Sequence, residues 1–372
     1  MPANEKREFP RWPSVGVGGW GDERTMGEAP TDLGTFLDHW AKDHPERGDV
    51  AVTVMRLAEA CCRISHLVGQ GSIFGPLGAE TGRQSGFDRQ KEVDVRANDL
   101  IIAALKDAPV ATLGSEELEW ALPIHPGAPL AVAVDPIDGS SNADANVSIG
   151  TIFTVLPARA NGVDTSSFQQ AGRAQLAAGF AVYGPFTSLV LTLGEGTHIF
   201  TLQRTTSQFV LTHRNVQIPA TTREYAINGS NYRHWAEAIR TYIDDCLRGR
   251  DGPRGRDFNM RWTASPVADI YRLLLGGGIF LYPGDLRENY QQGRLRLVYE
   301  AAPLAWIIEQ AGGSASTGQQ PILDIVPTSI HQRTPFIAGS WTEVEYVVRL
   351  HQDPHGLGER SPLFGRRGLF RT

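Results

Sequence analysis

The chain is poor in cysteine: Cys61, Cys62 and Cys246 are the only three in 372 residues. They form neither a disulfide framework nor the paired spacing of a zinc or redox site. Cys61 and Cys62 adjoin on an expected helix, where core packing accounts for them, and a reducing, cytoplasmic setting is the expectation. Long apolar runs are missing as well. A stretch such as Leu273 to Tyr282 is short and interrupted by glycine, so no membrane span is expected. Residues 1–30 are rich in Gly, Pro and charge, without the apolar centre of a targeting signal, and read as a poorly ordered arm. Excess positive charge is absent too. With 35 Lys and Arg against 41 Asp and Glu, the net charge of −6 argues against a broad nucleic-acid surface. An anionic substrate then needs local help from clustered arginines or metal ions.

What the chain has is a 41% hydrophobic composition, enough core for one large or two ordinary domains. Helical spacing of apolar residues predicts helices from Asp32 to Asp43, Val50 to Val68 and Asp94 to Leu105. Residues 69–89 lack any period and read as a mobile loop. Alternating or continuous apolar runs then predict strands at 148–156, 176–182, 187–193, 198–202 and 209–212. The polar stretch 213–222 is the expected boundary, giving an α/β domain at 31–215, a second at 216–352 and a basic, apolar tail at 353–372, either solvated or packed on a neighbouring subunit. In the second half, a strand near Tyr225 precedes a helix from Trp235 to Leu247 and a basic loop, 248–256. Ser265-Pro266 opens the next helix. Leu295 to Tyr299 reads as a strand ending at Glu300, and Pro303 begins a helix closed by Gly312-Gly313. Ser340 and Glu343 read as a capping box for the last helix. Strands and helices recur throughout, so the predicted class is layered α/β.

The most informative segment is Asp135-Pro-Ile-Asp-Gly-Ser-Ser-Asn142, which follows the apolar run Leu130 to Val134. Asp-Pro-x-Asp-Gly is ordinary turn chemistry. It also sets two carboxylates and a Gly-Ser-Ser turn at a strand end, ligands for a hard cation and for a phosphate. Glu116 and Glu117 close another short run, Val110 to Leu113, so two acid-tipped strands are expected to converge at one sheet edge. Such a cluster is stable mainly with a cation or proton present. The reading is metal-assisted phosphoryl chemistry.

These residues resemble the class 1 fructose-1,6-bisphosphatases. The resemblance runs from about Lys91 to Ser340, on Val93 to Asp99, Gly114 to Glu117, Asp135 to Asn142, Val147 to Phe153, Gly277 to Pro283, Arg294 to Glu300 and Leu323 to Arg333. Asp-Pro-Ile-Asp-Gly alone fits inositol monophosphatases equally; Ser-Ser-Asn after it favours the bisphosphatases. Asp257 to Trp262 is similar to the branch from carbon-fixing proteobacteria. The resemblance implies a five-layered αβαβα sandwich of the inositol monophosphatase-like superfamily and a homo-oligomer, usually a tetramer. It implies hydrolysis of the 1-phosphate of fructose 1,6-bisphosphate, in gluconeogenesis or the Calvin cycle. Glu116, Asp135, Asp138, Glu300 and the Ile137 carbonyl would hold two or three Mg²⁺, with Mn²⁺ as an alternative. Asp94 and Glu117 would position and deprotonate the attacking water, and Asp88 would complete the site from a mobile loop. Asp138, Gly139, Ser140 and Ser141 would meet the 1-phosphate. Asn228, Tyr282, Arg294 and, from a neighbouring subunit, Arg261 would hold the far phosphate.

Arg296 stands two residues from Arg294, and a strand would direct both to one face, as a bisphosphate requires. Arg294 stands where the family has Lys, Trp262 where it has Tyr, Asn231 where Tyr is common, and Pro266 where Met is common. Preference between six- and seven-carbon sugars is therefore open, and sedoheptulose 1,7-bisphosphate is the alternative substrate. Pro129, Leu130, Pro157 and Ala51 occupy the positions of the family's AMP clamp and cannot bind a phosphate. Competing readings are an inositol-phosphate or nucleotide phosphatase and a non-catalytic sugar-phosphate sensor.

Overall fold

Three helices lead the chain: α1 (Leu33–Asp43), α2 (Gly48–Gly69) and α3 (Glu92–Leu105). Asp32 starts the first as its N-cap, its Oδ1 accepting the Thr35 N–H at 2.9 Å. The apolar spacing read above puts Leu33, Phe36, Leu37 and Trp40 on the buried face. The computed structural model describes residues 31–74, 77–85, 88–159 and 165–353. The arm expected at 1–30 lies outside them, as does the expected tail apart from Asp353. The loop expected over 69–89 is corrected in part. It carries a hairpin of β1 (Glu80–Ser85) and β2 (Asp88–Lys91), whose polar sequences hold no apolar alternation to read.

A sheet of eight strands follows. It comprises β3 (Val110–Ser115), β4 (Leu122–Pro123), β5 (Leu130–Asp138), β6 (Ile149–Pro157) and β7 (Ala177–Tyr183). β8 (Thr187–Thr192), β9 (Thr197–Gln203) and β10 (Gln208–His213) complete it. The order is β10-β9-β8-β7-β6-β5-β3-β4. From β5 to β10 it is an antiparallel meander, whereas β3 and β5 run parallel. Both faces of its centre are covered, which is why these strands are near-continuous apolar runs.

The second half begins with β11 (Glu224–Ile227), α4 (Glu237–Leu247), β12 (Asn259–Met260), α5 (Pro266–Gly276) and β13 (Ile279–Tyr282). It continues with β14 (Leu295–Arg296), α6 (Ala302–Gln310), β15 (Ser314–Ser316), β16 (Arg333–Thr334), β17 (Phe336–Gly339) and α7 (Trp341–Gln352). Five of these strands make a sheet in the order β12-β11-β13-β17-β15, and β14 pairs with β16 apart from it.

Three apolar cores define the layers. Val54, Leu57, Ile64 and Ile101 of the leading helices pack on Val132, Val134, Phe153 and Phe200 of the large sheet. On its other face Ile152, Phe180 and Val190 meet Ile270 and Leu274 of α5, Leu304 and Ile308 of α6, and Phe280 and Phe336 of the small sheet. The neighbours of Phe280 in β13, Ile279 and Leu281, alternate to the opposite face and pack with Tyr242 of α4 and Val347 of α7. Helices, sheet, helices, sheet, helices is the αβαβα sandwich expected.

Two local expectations are corrected. Ser340 and Glu343 form no capping box: the Ser340 hydroxyl donates to the Pro219 carbonyl at 2.6 Å. Glu343, fully buried, instead accepts from Arg254, Arg256 and Tyr242 at 2.6–2.8 Å. Two cations of the basic loop are thus neutralised inside the fold, because a buried carboxylate needs ionic partners more than a helix needs a cap. The strand expected at 295–299 stops after Arg296. Residues Leu297–Ala301 form a wide π-type turn that closes on the Ala302 N–H and brings Glu300 inward.

Candidate active site

Parallel strands end at the same edge, and the register of β3 on β5 sets Ser115 opposite Val134. The residues that follow, Glu116 and Glu117 on one strand and Asp135 on the other, therefore emerge together. The Glu116 N–H donates to the Val134 carbonyl at 3.1 Å. The turn is also held from α3: Asn98 accepts from the Ser115 hydroxyl at 2.8 Å, and that hydroxyl accepts from the Glu117 N–H at 3.2 Å. Asn98 lies four residues after Asp94, on the same helix face.

Asp135 and Asp138 are three residues apart, so in a regular strand they would point to opposite faces. The pairing with β6 shows otherwise. Asp135 faces Ile152 and Asp138 faces Gly150, a bulge of one extra residue that returns both carboxylates to one side. Thr151 fixes the bulge by donating to the Pro136 carbonyl at 2.8 Å, and the Ile137 N–H donates to Asp135 Oδ1 at 3.0 Å. Asp138 Oδ2 accepts from the Val267 N–H in the first turn of α5 at 3.0 Å. Glu300 Oε2 accepts from the Arg296 N–H at 2.6 Å. Carboxylate oxygens of Asp135, Asp138 and Glu300 lie within 4.8 Å of one another, and all three residues are buried.

Such crowding has an electrostatic signature. Burial, then the charge of Glu116, pushes Asp135 and Glu300 well above the ordinary carboxylate range. Burial raises Asp138 to about 7. Asp94 is raised to about 6, again by burial first, against the Lys91 N–H that donates to its Oδ2 at 2.9 Å. Its Oδ1 is buried with no well-formed hydrogen bond among the described residues, and the nearby Ser140 hydroxyl favours its charged form. Glu116 contributes charge to all four acids while its own carboxylate pairs with Arg296 at 3.4 Å.

After Asp138 the chain turns on Gly139, at φ +75°, into the short turn Ser140–Asn142. Only glycine suits this position: the left-handed backbone is unfavourable for other residues, and a Cβ would come 3.3 Å from Ser265. Asn142 holds the turn in place by donating to the Thr263 and Ala264 carbonyls at 3.3 Å.

The residues expected at the far phosphate divide. Asn228, Asn231, Tyr282 and Arg294 line one cleft. Arg294 stacks over the Tyr290 ring at 4.1 Å and donates to the Tyr282 hydroxyl at 3.4 Å. Arg296 does not join it. Its guanidinium bonds the Arg294 carbonyl at 3.1 Å and pairs with Glu116; the strand holds only Leu295 and Arg296, so Arg294 lies outside the alternation that would align the two. Arg261 lies elsewhere within the chain, 3.7 Å from Glu224 beside Arg272. The Asp88 side chain lies outside the described part of the structure.

Sequence reading missed Arg287. Its guanidinium stacks on Tyr290 at 4.5 Å, pairs with Asp285 and donates to Asn231 Oδ1 at 3.1 Å. Asn228 Oδ1 is likewise occupied, by the Ser230 N–H and hydroxyl. Both asparagines, which line the cleft, therefore keep their NH₂ groups to donate, and Arg287 neutralises its one acid, Asp285. With Arg294, this is a pocket of donors suited to an anion. No local pattern in Asp285 to Tyr290 signals that arrangement.

Comparison with known proteins identifies the family. Residues 33–214 match the family model "Fructose-1-6-bisphosphatase, N-terminal domain" and residues 218–352 the corresponding C-terminal domain model. A class 1 fructose-1,6-bisphosphatase of Sinorhizobium medicae is 55% identical over 328 residues, 87% of this chain and 94% of that protein. One from Rhodopseudomonas palustris is 51% identical over 341 residues, 91% and 98% of the two chains. The crystal structure of Leishmania major fructose-1,6-bisphosphatase in holo form superposes with a TM-score of 0.81 at 36% identity, covering 88% of this chain and all of that one. The chain belongs to the class 1 fructose-1,6-bisphosphatases, a family of phosphoric monoester hydrolases.

Proposed function

We propose that the chain hydrolyses the 1-phosphate of fructose 1,6-bisphosphate with Mg²⁺, releasing fructose 6-phosphate and phosphate. The observation that carries this reading is the cluster of Asp135, Asp138 and Glu300, three buried acids within 4.8 Å, beside an anion-seeking cleft. Arg296 links the two, its guanidinium pairing with Glu116 and donating to the backbone carbonyl of Arg294, which lines the cleft.

The residues fit a divalent metal. The donor set is all oxygen, as Mg²⁺ or Mn²⁺ requires. The buried acids repel one another, and a carboxylate oxygen of Asp94 is left buried without a well-formed hydrogen bond. Glu116, Asp135, Asp138, Glu300 and the Ile137 carbonyl would hold the ions, which when bound supply positive charge to the phosphate and make water more acidic. Around them the protein does the positioning. The turn at Gly139, Ser140 and Ser141 orients the 1-phosphate by its backbone N–H groups. Asp94, raised to about 6, accepts a proton from the attacking water near neutral pH, with Glu117 as the second acid. Arg294, Asn228, Asn231 and Tyr282 hold the far phosphate. Arg261, half exposed and only loosely paired, would add to this pocket from a neighbouring subunit of a homotetramer. The buried, unpaired cysteines Cys61, Cys62 and Cys246 support a cytoplasmic setting, and among the described residues no helix is long and apolar enough to cross a membrane.

The test is phosphate release with Mg²⁺ from fructose 1,6-bisphosphate and sedoheptulose 1,7-bisphosphate in parallel. Release from the fructose ester that falls at least about a hundredfold in Glu117→Gln supports the reading. Silence on both sugars from folded, metal-loaded protein rejects it, and the rate ratio sets the sugar preference. Arg294→Ala is expected to raise KM about 10- to 100-fold with kcat within a few fold, since it removes a charge-assisted hydrogen bond to the non-reacting phosphate. Steady-state kinetics checks it; an unchanged KM would move the far phosphate elsewhere.

A further inference from the structure

Three of the six acids sit on turns rather than on regular elements. Glu116 and Glu117 lie in the turn after β3, and Glu300 lies in the π-type turn Leu297–Ala301. A single strap, residues 330–333, crosses both. Ile330 fills the space over Gly114, where a Cβ would come 2.4 Å from its Cδ1. The Gln332 carbonyl accepts the Leu297 N–H at 2.7 Å. Between these anchors, His331 reaches the two turns at once. Its Nδ1 lies 2.8 Å from the Tyr299 hydroxyl and its Nε2 lies 3.0 Å from the Leu118 carbonyl. A carbonyl only accepts, so Nε2 carries the proton, and in the neutral ring Nδ1 accepts from the Tyr299 hydroxyl. Tyr299, fully buried, immediately precedes Glu300, and Leu118 immediately follows Glu117.

We propose that His331 is a positioning residue for the metal-binding acids: its imidazole bridges Tyr299 and Leu118 and holds the Glu116–Glu117 turn at a set distance from the Glu300 turn. The proposal rests on the reading of the acid cluster as a metal site. The two turns are separated by about half the chain and carry like charges that repel, so a bridge that grips backbone on one side and a buried hydroxyl on the other resists their spreading. Groups that orient metal ligands from behind typically contribute about 10- to 100-fold in metal affinity or activity.

The test is Mn²⁺ binding to the full chain, by calorimetry and by electron paramagnetic resonance, for wild type, His331→Leu and His331→Gln. Gln carries a donor and an acceptor at the spacing of the two ring nitrogens; Leu carries neither. The expected result is Mn²⁺ affinity at least about tenfold weaker in His331→Leu, within about threefold of wild type in His331→Gln, and an unchanged KM for the bisphosphate. A folded His331→Leu protein with wild-type affinity, or a Gln variant as impaired as Leu, overturns the proposal. A loss of melting temperature alone also overturns it, because a merely structural contact would do that. Should His331→Leu not fold, Tyr299→Phe removes the same bridge from its other end and must weaken Mn²⁺ binding; no change there overturns the idea equally. Wild-type protein that binds no Mn²⁺ would reject the metal reading itself, an outcome distinct from all of these.

Discussion

Replacing Asp138 with asparagine is expected to cut phosphate release about a thousandfold or more while raising the melting temperature of the metal-free protein. The substitution keeps the shape and an oxygen to accept the Val267 N–H, so the start of α5 stays capped. What it removes is one negative charge from a buried cluster. Metal ions contribute several kcal/mol of charge stabilisation to phosphoryl transfer, and about 4 kcal/mol corresponds to a thousandfold. Without metal the same charge is a liability, since burial lifts Asp138 to about 7 with Glu116 and Asp269 adding repulsion. Relief of about 1 kcal/mol would raise the melting temperature by roughly 1–3 °C. Phosphate release with Mg²⁺ and calorimetry in chelator near pH 8 read the two effects. A variant that is active and less stable would mean that Asp138 serves only to cap α5.

Stability of the metal-free protein is expected to fall as pH rises from about 5 to 8, and Mg²⁺ is expected to reverse the trend. Asp94, Asp135, Asp138 and Glu300 all have folded pKa values above their ordinary ones. The folded protein therefore keeps protons that the unfolded chain releases. That contribution is complete below the ordinary values of 3.8 and 4.5, and is lost as pH climbs through about 6 for Asp94 and about 7 for Asp138. Cations replace those protons, so Mg²⁺ should stabilise little near pH 5 and most near pH 8. At a hundredfold excess over Kd the gain is about 2.7 kcal/mol. Melting temperatures in chelator and in saturating Mg²⁺ across this range test it. A gap that stays constant with pH would argue that the metal binds away from these acids.

Much of this molecule is local in origin, and local features are legible in a sequence. The period of Leu33, Phe36, Leu37 and Trp40 marks α1 because one helix face must be buried. The run Leu130 to Val134 marks a strand covered on both faces, and the acids after it could belong only at its end. Where one residue had two uses, the sequence did not decide between them. Glu343 suited a helix cap until Arg254 and Arg256, nearly ninety residues earlier in the chain, claimed it inside the fold. Arg294 and Arg296 looked like neighbours on one face, but the strand takes in only Leu295 and Arg296, and the two arginines have different partners.

The sequence by itself determined which groups are present: acids that offer oxygen donors, a glycine turn and a set of arginines. Those follow from residue type and short spacing. Tertiary structure decided which acids share a site and how strongly they are perturbed. The bulge in β5 turns Asp135 and Asp138 to one side, the turn before α6 adds Glu300, and α5 supplies an N–H to Asp138 from 129 residues away. Burial and the field of distant neighbours set a carboxylate's charge, and both exist only once the layers have packed.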